Sequence, residues 1–246
     1  MSTLPAPVLI LGARSDIARA LAHSYGAAGH PLQLAARDPA GLEADKADLA
    51  LRHSVSVSTH AYDALDTAAL AGFFDGLPAM PGVVISAVGY MPDQAETQAN
   101  PELAARVVAS NFTGPAAAFE EAARRMAAAG GGTLIGISSV AGDRGRAKNH
   151  WYGAAKAGFT AVLSGLRQQY GRAGVHVLTV KPGFVATRMT EGMDLPAPLT
   201  DSPEAIAAAI HRAAERRQNV YTPWKWRLIM GIITNLPEFV FKRLSF

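Results

Sequence analysis

The sequence predicts a doubly wound α/β fold: one domain built on a parallel sheet of six to seven strands, with helices on both faces. Three observations predict it. Short apolar runs without polar alternation recur along the chain, the mark of strands buried on both sides. Each run is followed by a longer, mostly Ala-rich stretch of helical character, so strand and helix alternate. The chemically distinctive residues fall just after strands, where such a sheet opens its ligand crevice.

The elements follow in order. Val8–Ala13 reads as a strand and Asp16–Ala28 as a helix; Leu32–Arg37 and Pro39–Leu51 repeat the pair, and so do Val55–His60 and Thr67–Gly76. Gly82–Gly89 is a continuous buried strand, followed by a long helix over Pro101–Ala128 with a break near Gly114 and Pro115. Thr133–Ser139 is a strand, Trp151–Gly171 a helix, Val175–Gly183 a strand, Ser202–Arg217 a helix and Asn219–Pro223 a last short strand. Right-handed crossovers then wind the helices onto both faces.

Composition narrows the function. The chain has 246 residues, a length one α/β domain can reach, and 49% are hydrophobic, enough for a sizeable core. There is no cysteine, which excludes disulfides and thiolate chemistry and fits a reducing, cytoplasmic setting. A net charge of +3 is too weak to indicate a nucleic-acid partner. The N-terminal apolar run is too short for a signal peptide, no stretch approaches the ~20 residues that span a bilayer, and no metal site is expected.

The turn from the first strand to the first helix, GARSDIA (Gly12–Ala18), sits where a dinucleotide pyrophosphate meets a helix N-terminus. Gly12 suits that role, with Arg14, Ser15, Asp16 and Ile17 beside it. Asp16 stands where glycine is usual, and its carboxylate must point away from any pyrophosphate. On this turn alone, an ordinary turn capped by Ser15 or Asp16 accounts for the sequence equally well. Arg37 ends the second strand, where an acid would hold a ribose 2′-hydroxyl and a base suits a 2′-phosphate. With Arg14 converging, the expected cofactor is NADP(H) in preference to NAD(H). Asp63, after the third strand, is placed either to accept from the adenine amino group or to cap a helix.

Ser139 ends the fifth strand; Tyr152 follows thirteen residues on and Lys156 four after that. At this spacing Tyr152 and Lys156 share a helix face. A free tyrosine, with pKa ~10, is a poor acid near neutrality. A neighbouring ammonium lowers that value toward the range useful for general acid–base work. Ser139 can hydrogen-bond a substrate carbonyl.

With SSVAG, YGAAK, KPGFVAT and SNFTG (Ser110–Gly114) in order and spacing, nearly the whole chain resembles the short-chain dehydrogenase/reductase family. The resemblance implies a single-domain Rossmann fold and a tetrad of Asn111, Ser139, Tyr152 and Lys156. Tyr152 would be the general acid/base. Lys156 would hold the nicotinamide ribose and tune Tyr152, and Asn111 would hold a relay water. It further implies cofactor contacts from Gly89, Pro182, Gly183, Val185 and Thr187, the last two at the carboxamide. SAVG at Ser86–Gly89 departs from the family's pattern, so only Gly89 carries over. GDRGRAKNHWYGAAKAG, VKPGFVATRM and the tail are also similar to a narrower branch. That branch reduces the 2-keto sugar of polyprenyl-phosphoryl pentoses, decaprenylphosphoryl-2-ketoribose among them. The implied function is an NADPH-dependent ketone reductase, with a 3-oxoacyl thioester reductase or general alcohol dehydrogenase as the enzymatic alternative and a nucleotide-sensing binding protein as the non-enzymatic one.

Arg144, Arg146 and Lys148 lie on the loop between Ser139 and Tyr152, which borders the substrate mouth in this fold. With Arg188 they are expected either to bind an anionic substrate group or to form a solvated basic loop or subunit contact. Residues 189–203 are Pro-rich and read as a substrate lid. The tail, 224–246, mixes tryptophans, cations and apolar residues, and Pro237 should split it into two short helices. It is expected to cover the pocket or meet a neighbouring subunit. The alternative is a peripheral contact at the inner face of the membrane. A homodimer or homotetramer is implied by the resemblance.

Overall fold

A computed structural model of the chain describes residues 5–244. Among these, seven parallel strands form one sheet in the order β3-β2-β1-β4-β5-β6-β9. The strands are β1 (Val8–Leu11), β2 (Leu32–Ala36), β3 (Val57–Ala61), β4 (Val83–Ser86), β5 (Gly132–Ile137), β6 (Val175–Val180) and β9 (Val220–Tyr221). Each is shorter than its predicted run; except in β3, which starts later and runs on to Ala61, the last residues of the run leave the ladder at the crevice end. β7 (Phe184–Val185) and β8 (Thr200–Asp201) pair separately, a small ladder the sequence pattern does not announce.

The helices are α1 (Asp16–Ala27), α2 (Glu43–His53), α3 (Leu70–Asp75), α4 (Gln94–Ala99), α5 (Pro101–Val108), α6 (Gly114–Ala128), α7 (His150–Tyr170), α8 (Pro203–Glu215), α9 (Trp224–Asn235) and α10 (Glu238–Phe241). Helix α4 is an addition to the sequence reading: Asp93 caps it through the Ala95 and Glu96 amides. The expected break in the long helix is a π-helical turn at Ala109–Thr113, just before Gly114 and Pro115. Pro237 does split the tail, ending α9 and opening α10.

Alternation along the strands builds two cores. Val8 and Ile10 face one way, against Leu21, Tyr25, Ile206 and Ile210 of α1 and α8. Leu9 and Leu11 face the other, against Phe119, Phe159 and Leu163 of α6 and α7. Burying a leucine or phenylalanine contributes roughly 1.5–3 kcal/mol, so these two layers hold the sheet. The chain runs outward from β1 to β3, then crosses back so that β4 lies on β1's other side. The crevice opens at that reversal, beyond the carboxyl ends of the strands.

Candidate active site

A cleft of about 1750 Å³ lies at the carboxyl ends of the strands. That exceeds the ordinary volume of a single small-ligand pocket, roughly 300–1,000 Å³, and leaves room for a dinucleotide and a second molecule. Gly12, Arg14, Ser15, Asp16, Ile17, Arg37 and Asp63 line one end. Ser139, Tyr152 and Lys156, with Gly89, Pro182, Gly183, Val185 and Thr187, line the other.

The catalytic wall is built from tight contacts. Ser138 is buried and fixes α7: its hydroxyl donates to the Lys156 carbonyl at 2.9 Å and meets Thr160 Oγ1 at 2.7 Å. Ser139 starts a 3₁₀ turn over Val140–Gly142, and its Oγ accepts from the Ala141 amide at 3.1 Å. That turn lies directly on α7. A Cβ on Gly142 would stand 2.7 Å from Ala157 N, and one on Gly153 would stand 2.7 Å from Ala141 O. Two glycines therefore let the strand end and the helix approach, which sets the Ser139 hydroxyl where it favours the Tyr152 phenolate.

Lys156 is 2% exposed; its ammonium donates to the Ile137 carbonyl at 2.9 Å and toward Val88 O at 3.4 Å. It stands 5.7 Å from the centre of the Tyr152 ring. Burial pushes its pKa down to about 8. Burial also pushes Tyr152 up to about 12, and Ser139 opposes the shift. Burial is the largest influence on the phenol and keeps Tyr152 protonated near neutrality.

Asn111 departs from its expected place. Its side chain is fully buried in the π-helical turn. Its amide nitrogen donates to Tyr90 O at 2.6 Å and Val107 O at 2.9 Å, while its oxygen accepts from the Tyr90 amide at 3.1 Å. Both amide protons are therefore spent on backbone, and Asn111 fixes the loop after Gly89 rather than lining the cleft. The side-chain bond to Val107, four residues back, competes with the helical ladder, and the turn widens there.

At the cofactor end, Gly12 has φ +79°, and a Cβ there would meet Val88 N at 3.0 Å, so glycine is needed for packing against the end of β4 as well as for the turn. Ser15 caps α1 through the Ala18 amide. Asp16 turns outward to Arg188: its carboxylate accepts from the Arg188 amide at 2.8 Å and from Nε at 3.1 Å. Arg188 also donates to the Arg14 carbonyl. Arg188 is thus tied to the phosphate turn and does not join the basic loop. Arg37 is exposed on the rim, and Arg14 pairs with Asp38 at 3.4 Å. Asp38, directly after Arg37, is the acid the sequence reading passed over. Asp63 closes a local turn by accepting from the Leu65 amide.

The basic loop separates in the same way. Arg146 and Lys148 line the cleft. The Arg146 Nε is buried without a hydrogen-bond partner, and burial lowers its pKa while Asp143 opposes the shift. Arg144 turns away to the tail. It donates to the carbonyls of Ile233 at 2.7 Å and Leu236 at 2.6 Å, pairs with Glu238 at 2.9 Å, and lies 3.8 Å from the Phe241 ring centre. The tail covers the nicotinamide motif: a Cβ on Gly183 would fall inside the Trp226 indole, whose Nε1 donates to Leu199 O at 3.0 Å.

Sequence reasoning missed Tyr90 and Arg106, which line the cleft, and Tyr90, directly after Gly89, could have been found; Met189 and Met193 of the expected lid and Trp226 of the expected cover line it too, though they were not singled out. Among the described residues no group of three metal-ligating side chains occurs, and no helix is long and apolar enough to cross a membrane.

Residues 6–196 match the short chain dehydrogenase family. The chain is 39% identical over 243 residues to an uncharacterized oxidoreductase of Mycobacterium tuberculosis, covering 97% of each. It is 35% identical over 244 residues to an uncharacterized oxidoreductase of Streptomyces coelicolor, covering 98% of this chain and 96% of that one. Among solved structures it is similar to a short-chain dehydrogenase from Sphingobium yanoikuyae in complex with NADPH, with TM-score 0.82, 26% identity and coverage of 95% and 97%. The fold, the cleft and these matches together place the chain in the short-chain dehydrogenase/reductase family, as an oxidoreductase of alcohols and ketones that uses a nicotinamide cofactor.

Proposed function

We propose that the chain is an NADPH-dependent ketone reductase acting on an anionic substrate, a 2-keto sugar carried on a polyprenyl phosphate. The observation that carries the reductase reading is the meeting of Ser139, Tyr152 and Lys156 on one wall of the cleft, with the Lys156 ammonium buried on the Ile137 carbonyl. The bound dinucleotide supplies a hydride to the carbonyl carbon. Tyr152, held neutral by burial, gives its proton to the carbonyl oxygen, so one ketone, one hydride and one proton yield one alcohol. Ser139 hydrogen-bonds that oxygen and orients it. Lys156 carries the positive charge that favours the phenolate left behind. Asn111 positions the Gly89–Tyr90 loop. Residues 189–203 act as a lid.

The NADPH preference is supported by Arg37 and Arg14 at the end of β2, together with the NADPH-bound structural relative. Arg14 would exchange its Asp38 partner for a 2′-phosphate there. The anionic substrate is supported by the unpartnered Arg146 Nε beside Lys148. The resemblance supplies the sugar and the lipid. Asp38 favours a second reading, in which it accepts from the ribose 2′-hydroxyl of NADH. Titration with NADPH and NADH, followed by nicotinamide fluorescence, separates the two. Preference for NADPH, with at least about tenfold weaker binding in Arg37→Ala, supports the first; equal or stronger binding of NADH supports the second.

A further inference from the structure

The tail carries an exposed apolar face that its packing on the domain leaves uncovered. Trp226, Ile229, Met230 and Ile233 turn α9 inward, onto Val140, Phe184 and Leu199. The opposite stripe holds Trp224, Leu228 and Ile232 at four-residue spacing, exposed by 68, 62 and 66%, and α10 adds Phe239 at 63%. An isolated exposed leucine is ordinary, but a stripe of this kind marks an interaction surface.

Charge identifies what would cover it. Of the chain's 23 basic and 20 acidic residues, four and one fall within 224–246, which leaves 19 of each elsewhere. The whole positive excess of the protein therefore sits on this tail. Lys225 and Arg227 lie on the two edges of the apolar stripe, and exposed Lys242 and Arg243 follow α10. The single acid, Glu238, is already paired with Arg144. A second copy would set two cationic tails against each other, whereas an anionic surface satisfies both the cations and the apolar side chains.

We propose that α9 and α10 form a docking surface for an anionic lipid bilayer. Trp224, Leu228, Ile232 and Phe239 enter the headgroup region, and Arg227, Lys242 and Arg243 meet lipid phosphates, while Lys225 adds its charge from its place on the Pro198 carbonyl. On the inward face of the same helix Trp226 lines the cleft, so docking sets the cleft within about one helix diameter of the lipid, ~10–12 Å. The proposal does not depend on what the cleft reduces.

Co-sedimentation of the full chain with vesicles of phosphatidylcholine alone, or mixed with phosphatidylglycerol, tests it. The expected result is at least about tenfold stronger partition onto the anionic vesicles, falling as salt is raised. A Leu228→Asp/Ile232→Asp variant should lose partition while keeping the wild-type melting temperature. If that variant does not fold, Lys242→Glu/Arg243→Glu, which leaves the helices' packing intact, should lose it instead. No partition by the wild type, or equal partition by a folded variant, overturns the proposal. So does an oligomer that shrinks in the aspartate variant while vesicles stay unbound, since the stripe then belongs to a second copy.

Discussion

The two sides of the cleft are held in opposite ways. The wall, from Ser138 to Lys156, is locked by short contacts: a buried serine on the α7 backbone, two glycines at the turn–helix contact, and an ammonium on two carbonyls. The roof, residues 188–199 together with α9 and α10 of the tail, is largely exposed and held by a few long arms: Asp16 to Arg188, Arg144 to the end of α9, and the Trp226 indole. The wall's close contacts suit the fixed geometry that proton transfer needs. The roof is anchored at points, which suits a cover over a substrate. Packed cores resist small shifts while lightly held segments open at low cost.

The sharpest way to break the comparison is to disarm the wall without moving it. Tyr152→Phe removes the proton donor and keeps the ring. Loss of general acid catalysis costs about 10²–10⁴-fold in kcat, and the substitution should leave cofactor affinity and melting temperature near wild type. Steady-state turnover of an accepted ketone, with a parallel nicotinamide titration, checks both. A loss below tenfold would mean that another group protonates the oxygen. The wild-type pH profile sharpens the same point. Tyr152 stays protonated up to about 12, while Lys156, whose pKa is down at about 8, is charged below that pH and neutral above it. kcat/KM for reduction is therefore expected to be flat below pH 8 and to fall above it. A profile still level at pH 10 would show that the ammonium is not required.

Arg144→Ala tests the roof and should cost less. It removes charge-assisted bonds to Ile233 O, Leu236 O and Glu238, together roughly 2–3 kcal/mol at about 1 kcal/mol or more each. If the tail melts with the domain, the melting temperature falls by several degrees, at about 2–4 °C per kcal/mol for a chain of this size. If the tail is a separate cooperative unit, the main transition stays and amide exchange rises in 224–241. Either outcome places Arg144 in the roof. An unchanged melt with unchanged exchange would return it to the substrate.

This division also explains what was legible in the sequence. The parallel sheet and the helices that cover it follow from buried apolar runs alternating with helical stretches, and Ser139, Tyr152 and Lys156 follow from spacing within one turn and one helix. The roof depends on contacts across large sequence separations: Arg144 meets Leu236 92 residues on, and Asp16 meets Arg188 172 residues on. Nothing local distinguishes Arg144, which turns outward, from Arg146, which turns into the cleft two residues later. Burial of Tyr152 is hidden for a related reason: spacing reveals the neighbouring lysine, but desolvation depends on everything packed around the phenol.

Asp16 is where the two sides meet, and it carries the smallest expected effect. Its partner Arg188 is half exposed, and such pairs contribute about 0–1 kcal/mol. Asp16→Gly should therefore move the melting temperature by no more than about 2–4 °C. Its consequence lies in the roof. Without the carboxylate, the Arg188 amide and guanidinium lose two of their bonds, and the 3₁₀ turn at Arg188–Thr190 keeps its own threonine contacts and the Arg188 bond to the Arg14 carbonyl. Proteolysis within 189–199 should speed up. A carboxylate beside the phosphate turn is also removed while an arginine is released there, so NADPH should bind a few-fold more tightly. Both effects can be read in one preparation, by limited digestion and fluorescence titration. Tighter binding with faster cleavage would mean that Asp16 gives up cofactor affinity to keep the roof tied down. Weaker binding would mean that the Asp16–Arg188 pair itself shapes the cofactor end, and that wall and roof are a single unit there.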